Sequence, residues 1–230
     1  MSLNVVTRRG LAGIAAACLI SVALPAVPAL AQKTKTKPAE QTTEAAPPEV
    51  VVSIPTVDAV DSSIDADTIK AILSGDLLDN VESLATLNAT SISVPEISVS
   101  VTSEGETGTL TFTNLVLENV VDGVAATASL EGSSFGADDG SASLGATSMS
   151  NVNIRGVLGI YGLVDAGGST EMETLYADFL MEGGTFESPE VSCEIGPVSG
   201  AEVRGRPIKT SLVEIMTLAQ QMEENPEEAD

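Results

Sequence analysis

The chain has no histidine and no tryptophan, and only two cysteines, two tyrosines and four phenylalanines in 230 residues. Without histidine there is no Ser-His-Asp or Cys-His nucleophile, no imidazole metal ligand and no side chain that ordinarily titrates near neutrality. The shortage of aromatic rings argues against stacking platforms for sugars and against aromatic-lined peptide grooves. Bases are scarce too: 10 Lys and Arg stand against 33 Asp and Glu. Phosphate backbones are held by clustered Lys and Arg, so nucleic acid is not an expected partner. Direct binding to an anionic membrane surface is disfavoured for the same reason.

The front of the chain reads as an export signal. Arg8 and Arg9 give a basic start, residues 11–24 are an apolar Ala-rich run, and Ala29-Leu30-Ala31 is a small-x-small cleavage pattern before Gln32. Residues 1–31 are therefore expected to be a signal peptide cleaved after Ala31, leaving a periplasmic or secreted protein. Pro25 and Pro28 interrupt the run before the roughly 20 apolar residues that a membrane span requires. Thr7-Arg8-Arg9-Gly10-Leu11 loosely resembles a twin-arginine signal, and paired arginines are also ordinary in plain signals, so both export routes stay open. Cys18 follows three alanines, a poor lipobox, and is expected to leave with the signal.

Two of the bases and none of the acids lie in residues 1–31. The mature chain then carries 33 acids against 10 − 2 = 8 bases, a net charge of −25. Acidity of this size favours solubility and opposes self-association. Cys193 is the single mature cysteine, so no intramolecular disulfide forms and the core alone must hold the domain.

Four segments follow from composition: the signal (1–31), a Lys-, Thr- and Pro-rich linker expected to be disordered (32–49), one β-rich domain (50–222) and an acidic tail (223–230). The first structured piece is expected to be helical. Asp65 or Asp67 can cap a helix carrying Ile69, Ile72 and Leu73, Gly75 interrupts it, and Asp76 can cap a second helix with Leu77, Val81, Leu84 and Leu87.

From Thr90 the apolar period becomes two. Ile92 and Val94, then Ile97, Val99 and Val101, alternate with a phase shift at Pro95-Glu96. Leu110 and Phe112, then Leu115 and Leu117, make the next strand, with one more shift. Asp122-Gly123 is a hairpin signal, followed by alternating Val124, Ala126, Ala128 and Leu130. After the Asp138-Asp139-Gly140 turn, Ala142, Leu144, Ala146, Val152 and Ile154 share a face. Residues 156–164 read as a short helix or buried connection. Leu175, Ala177, Phe179 and Met181, then Val191, Cys193, Ile195, Ala201 and Val203, form two more strands. A last helix carries Leu212, Ile215, Met216, Ala219 and Met222, with Ser211 and Glu214 as a capping box. The pattern is mainly β (α+β), an antiparallel meander with short helices packed on it. Gly108–Glu118 and Glu173–Glu182 resemble each other, as two degenerate repeats would, or as any two similar strands do.

No constellation carries a catalytic signature. Carboxylates are abundant, but no aromatic cluster marks the cleft that a carboxylate-based hydrolase needs. Asp58, Asp61, Asp65 and Asp67, and the Asp138-Asp139 turn, would suit calcium in an exported protein, yet neither matches a calcium-loop spacing and both serve equally as caps and turns. Cys193 lies on the apolar face of its strand, where a buried structural thiol is expected rather than a nucleophile. Arg204, Arg206 and Lys209 are the one local basic cluster of the mature domain and are expected to pair with neighbouring carboxylates. No catalytic, cofactor or metal residue is assigned.

Ala71-Ile72-Leu73-Ser74-Gly75, Ser91-Ile92-Ser93-Val94-Pro95-Glu96-Ile97, Val191-Ser192-Cys193 and Arg206-Pro207-Ile208-Lys209 resemble segments of an uncharacterised exported (periplasmic) protein family of alpha-proteobacteria. The likeness covers most of residues 65–220. It implies a bacterial envelope location and no residue roles. The expected function is non-enzymatic binding or scaffolding in the envelope, with an envelope protein or a lipid as partner. The alternatives are a lipid-handling β-sheet module of the periplasm and, more weakly, the carboxylate-based hydrolase.

Overall fold

The computed structural model describes residues 48–103, 105–164 and 171–208. The signal, the linker through residue 47, the Ala166-Gly167-Gly168 turn, the last helix and the acidic tail lie outside these residues. The chain builds one open twelve-stranded antiparallel sheet with short helices packed on it, the mainly β meander that its periodicity predicts. The strands are β1 (Glu49–Ser53), β2 (Asp58–Val60), β3 (Ala89–Ser103), β4 (Glu106–Val121), β5 (Val124–Leu130), β6 (Gly132–Ala137), β7 (Gly140–Leu144), β8 (Thr147–Asn153), β9 (Glu173–Met181), β10 (Gly184–Glu187), β11 (Ser192–Ile195) and β12 (Val198–Gly205). Between β2 and β3 run α1 (Ala66–Ala71), a π turn (Ile72–Asp76), a 3₁₀ turn (Leu78–Asn80) and α2 (Val81–Ala85). A third helix, α3 (Ile154–Ile160), follows β8.

Ten of these twelve segments are halves of longer strands. β3 and β4 are continuous over 15 and 16 residues. β5 and then β6 run back along β4, β8 and β7 lie beside them, β9 and β10 come next, and β12 and β11 form the outer edge. β1 and β2 line the opposite edge of β3. The breaks between halves fall in line across the sheet. Val94 and Ile97 of β3 both point into the core, although they are three residues apart. Their cross-strand neighbours keep the same spacing: Leu115 and Phe112, Leu130 and Ser133, Thr147 and Leu144, Met181 and Gly184, Val198 and Ile195. A strand of period two puts residues three apart on one face only by skipping one. Each strand skips at this level, which we call the crease. Pro95 has no N–H for the ladder, Asn114 adopts φ 52° and Gly183 adopts φ 113°.

A second line of skips lies nearer the helices. Ala89 and Ile92, Val120 and Leu117, Ala125 and Ala128, and Val152 and Met149 are again three apart. Here Asn119, Asn151 and Asp178 take φ of 51°, 52° and 50°, left-handed values that Asn and Asp tolerate best among residues with a Cβ. The two lines keep one face apolar along the whole length of the strands. Only the skips at Pro95 and in β4 near residue 113 are foreshadowed by the sequence pattern. In β5 the skip turns Ala125 inward and leaves Ala126 exposed, against the expected alternation.

The helical segment covers the β3–β4 side of that face. Asp65 caps α1 by accepting the Thr68 N–H and hydroxyl, each at 2.9 Å. Ile69, Ile72, Leu73, Leu77, Val81 and Leu84 pack with Ile92, Val94, Ile97, Val99 and Phe112 in the main core. Gly75 bends the segment at φ 130°. Asp76 does not cap the second piece, because the π turn carries it past the cap position and Asn80 precedes α2 without a side-chain cap. The first structured piece is not helical either. β1 and β2 precede α1, and β1 begins at Glu49 inside the expected linker. Both are short, and Pro48 and Pro55 flank β1, which hid them. Ile154 leaves the strand face expected of it and opens α3, where Asn153 Oδ1 accepts the Gly156 N–H at 2.8 Å.

Candidate binding face

Beyond the crease, Val99, Leu110, Phe135, Ala142, Phe186 and Cys193 stand side by side across six neighbouring strands. The next row holds Ile97, Phe112, Ser133, Leu144, Gly184 and Ile195. The rows begin in the core and end in the open. Ile97 is 1% exposed and Phe112 5%, whereas Phe135 and Phe186 are both 42% exposed and Ile195 40%. The α1–α2 segment lies over β3 and β4. Among the described residues no apolar cluster reaches over β6, β7, β10 and β11. The Phe135 ring reaches back toward β4, so that a Cβ at Gly108 would stand 3.1 Å from it. Glycine at 108 therefore leaves the space that this ring fills.

The opposite face is polar and organised by hydroxyls. Ser100 and Thr109, Thr102 and Thr107, and Ser143 and Thr185 bond across strands at 3.2, 2.9 and 2.8 Å. Carboxylates accept from hydroxyls rather than from bases: Thr90 donates to Asp61 at 3.1 Å, Thr127 to Glu118 at 2.9 Å, Ser150 to Asp178 at 2.7 Å, and Thr174 to Glu202. Arg204 and Glu202 form an ion pair at 3.9 Å, exposed at both ends. Arg204 also donates to the Met172 carbonyl at 2.9 Å, while Arg206 is exposed and Lys209 lies outside the described residues. The basic cluster thus gives one exposed pair, of a kind that contributes little.

Cys193 occupies the predicted face, opposite Phe186, but it is exposed. The expectation of a buried thiol fails because no described residue covers the far half of the face. Along the same stretch Val191 precedes β11 and is exposed, Ala201 falls at a line of skips and is exposed, and Val203 faces Tyr176. The alternation from Val191 to Val203 is therefore broken twice.

The acidic candidates serve local structure. Asp58 lies in β2, Asp61 accepts from Thr90, and Asp65 caps α1. Among the described residues, no three His, Cys, Asp or Glu side chains gather as metal ligands would. A depression of about 220 Å³ lies on the crease between Asn114, Ser129, Glu131, Ser148, Leu180 and Glu182, and holds no Lys, Arg or Cys. Two groups have shifted pKa values. The Thr68 N–H and hydroxyl hold the Asp65 carboxyl below its ordinary value, and burial pushes the Tyr176 phenol above its own. Tyr176 lies in the small cluster with Val157 and Leu175, its ring centroid 6.1 Å from that of Phe179.

Phe135 and Phe186 were not legible as site residues, since their strands, β6 and β10, were not foreseen. Gly132, Gly136 and Gly184 dilute the strand signal there. The alternation Ser133, Phe135, Ala137 is the trace that could have found β6. No family model matches the chain, and neither the curated proteins nor the solved structures contain a match to it.

Proposed function

We propose that this is a non-enzymatic exported binding protein of the bacterial envelope, working through the open half of its apolar sheet face. The observation that carries the reading is the row Phe135–Ala142–Phe186–Cys193, apolar and uncovered on a chain whose net charge is −23. Exposed apolar surface that is continuous and rimmed by polar residues marks a place where something binds. The absence of histidine from the sequence and the dispersal of the acids into caps and strand pairs support a role without catalysis.

A lipid-handling role is the second reading. Its support is the continuity of the rows, which lead from the buried core straight onto the open face and would let an acyl chain lie along them. Native mass spectrometry of the exported full-length protein separates the two: a protein partner and a lipid differ in added mass. Phe135→Ser with Phe186→Ser should remove the added mass in either case while the fold persists. Bare monomer mass in the unsubstituted protein, across gentle conditions, would sink both readings.

A further inference from the structure

We propose that the open half of the apolar face takes a basic amphipathic helix of a partner polypeptide. Its aliphatic side chains enter the slot between Phe135 and Phe186, and its Lys or Arg meets the acids at the distal rim. The inference rests on the binding face proposed above and names what that face selects.

The slot follows from the register. Phe135 and Phe186 flank Ala142 on the two strands beside β7. Their Cα atoms therefore stand about 9.6 Å apart, two strand spacings. The Phe135 ring leans away from β7, toward β4, where a Cβ at Gly108 would lie 3.1 Å from it. Ala142 is thus the floor between two rings that are each 42% exposed. Leu144 ends the slot at the crease, and Gly140 leaves it open at the other end. A helix with its side chains is about 10 Å across, so the slot admits a row of side chains and not the helix itself.

Charge decides the class of occupant. The slot opens onto two turns, residues 138–139 and 188–191, that touch: a Cβ at Gly140 would stand 3.0 Å from the Glu187 carbonyl oxygen. Asp138, Asp139, Glu187 and Glu190 are all exposed there. Between Ala71 and Val203 the sequence sets 20 acids against one base, Arg155, and that base lies in α3, at the other end of the strands. An anionic headgroup or a free carboxylate would be repelled at this rim. A second copy would bring the same four acids and the same net charge of −23. A cationic segment gains where both of these lose. From Ala142 to Asp139 the strand rises about 10 Å. A helix covers that distance in about seven residues, so the base follows the aliphatic anchor by one to two turns.

The probe is an amidated Leu–Lys peptide of about 14 residues, four turns long, with its leucines on one helical face. It is titrated against the full exported chain. It should bind, and it should slow the alkylation of Cys193, the neighbour of Phe186 in the same row, by a neutral maleimide. A Leu–Glu peptide and a Ser–Lys peptide of equal length should do neither. Phe135→Ser with Phe186→Ser, both at exposed positions, should abolish binding. Asp138→Asn, Asp139→Asn, Glu187→Gln and Glu190→Gln together should weaken it about tenfold, as four screened surface pairs would. The same change of charge on β2 and the helical segment, Asp58→Asn, Asp76→Asn, Asp79→Asn and Glu82→Gln, should leave it unchanged. Equal weakening by the two sets would overturn the proposal by assigning the binding to the field of the whole chain. Equal binding of the Leu–Glu peptide would overturn the charge selection and leave the binding face standing. Lipid mass or a dimer that depends on Phe135 and Phe186, without binding of the Leu–Lys peptide, would overturn it by making an acyl chain or a second copy the occupant. If the substitutions unfold the chain by circular dichroism, the unsubstituted protein decides: a Cys193 thiol that stays reactive at saturating Leu–Lys peptide overturns the proposal.

Discussion

Gly123 lies so close to the carbonyl of Ala85, the last residue of α2, that a Cβ at position 123 would overlap that oxygen. Its N–H donates to the Leu87 carbonyl at 2.9 Å, and its own carbonyl accepts the Ile154 N–H at 2.8 Å. One residue thus ties the β4–β5 hairpin to the exit of α2 and to the entry of α3. With φ of 49° and 73°, Asp122 and Gly123 form the left-handed pair that a two-residue hairpin favours. Gly123→Ala adds backbone strain of about 1–3 kcal/mol, and the overlapping atom cannot rotate away. We expect a total loss of at least about 2 kcal/mol in chemical denaturation, at unchanged m-value. A loss under about 0.5 kcal/mol, the range of neutral surface changes, would show that the hairpin and α2 are not in contact.

Ile97 and Ile195 lie in one row of one face, on opposite sides of the sheet. Ile97→Ala should cost about 2–5 kcal/mol, because it opens a cavity under the helices. Ile195→Ala should cost less than about 1 kcal/mol, because the site is already wet. Equal costs measured by urea unfolding would mean that the far half is covered in solution.

Cys193 is exposed and opposite Phe186. A thiol reagent should label it in the native protein nearly as fast as in the denatured one. Cys193→Ser should change stability by no more than about ±0.5 kcal/mol. Slow native labelling would place a cover over the edge strand.

The Tyr176 phenol is 5% exposed, and burial raises its pKa above the ordinary 10.0. The folded state then holds the proton more tightly than the unfolded one. Stability is fully present below pH 10 and falls as pH rises through the folded pKa. Tyr176→Phe should flatten this alkaline limb of the melting-temperature profile. An unchanged limb would assign it to other groups.

Hydroxyls answer Asp61, Glu118 and Asp178, and Arg204 pairs with Glu202 in the open. Neutral donors do not cancel charge, so repulsion among carboxylates opposes compactness and salt relieves it. Sodium chloride should therefore raise the melting temperature across the first few hundred millimolar. A flat response would mean that the charges are already compensated, by a bound cation or by bases outside the sheet.

The architecture was legible where period and turn chemistry were strong. Asp122-Gly123 announced its hairpin, the Pro95 phase shift announced a skip in β3, and the stripe from Ile69 to Leu84 announced the cover. What stayed hidden was the agreement between strands. A skip at Glu131 or Gly145 looks in isolation like a loop, and only pairing shows that it lies level with Pro95 and Asn114. Exposure was hidden for the same reason. Cys193 has the neighbours of a core residue along its own strand, and what decides its surroundings is how far α1 and α2 extend over a sheet wider than they are. Local pattern sets which face a side chain takes, and tertiary reach sets whether that face is wet.

The aligned skips also bear on how such a gene can drift. Deleting one residue from a single strand, Glu131 for example, would bring Leu130 and Ser133 to the two-residue spacing of a regular strand and remove the skip from that strand alone. Phe135 would keep its face, but the neighbouring strands, still skipping, would no longer match this one at the crease. Single-codon insertions and deletions are thus unavailable at these levels even though the residues there are exposed and chemically ordinary, whereas substitutions among Asn, Asp, Gly and Pro remain open. The lines across the sheet are inherited together or lost together, so relatives of this chain should be recognisable by the spacing of their breaks long after the residues between them have changed.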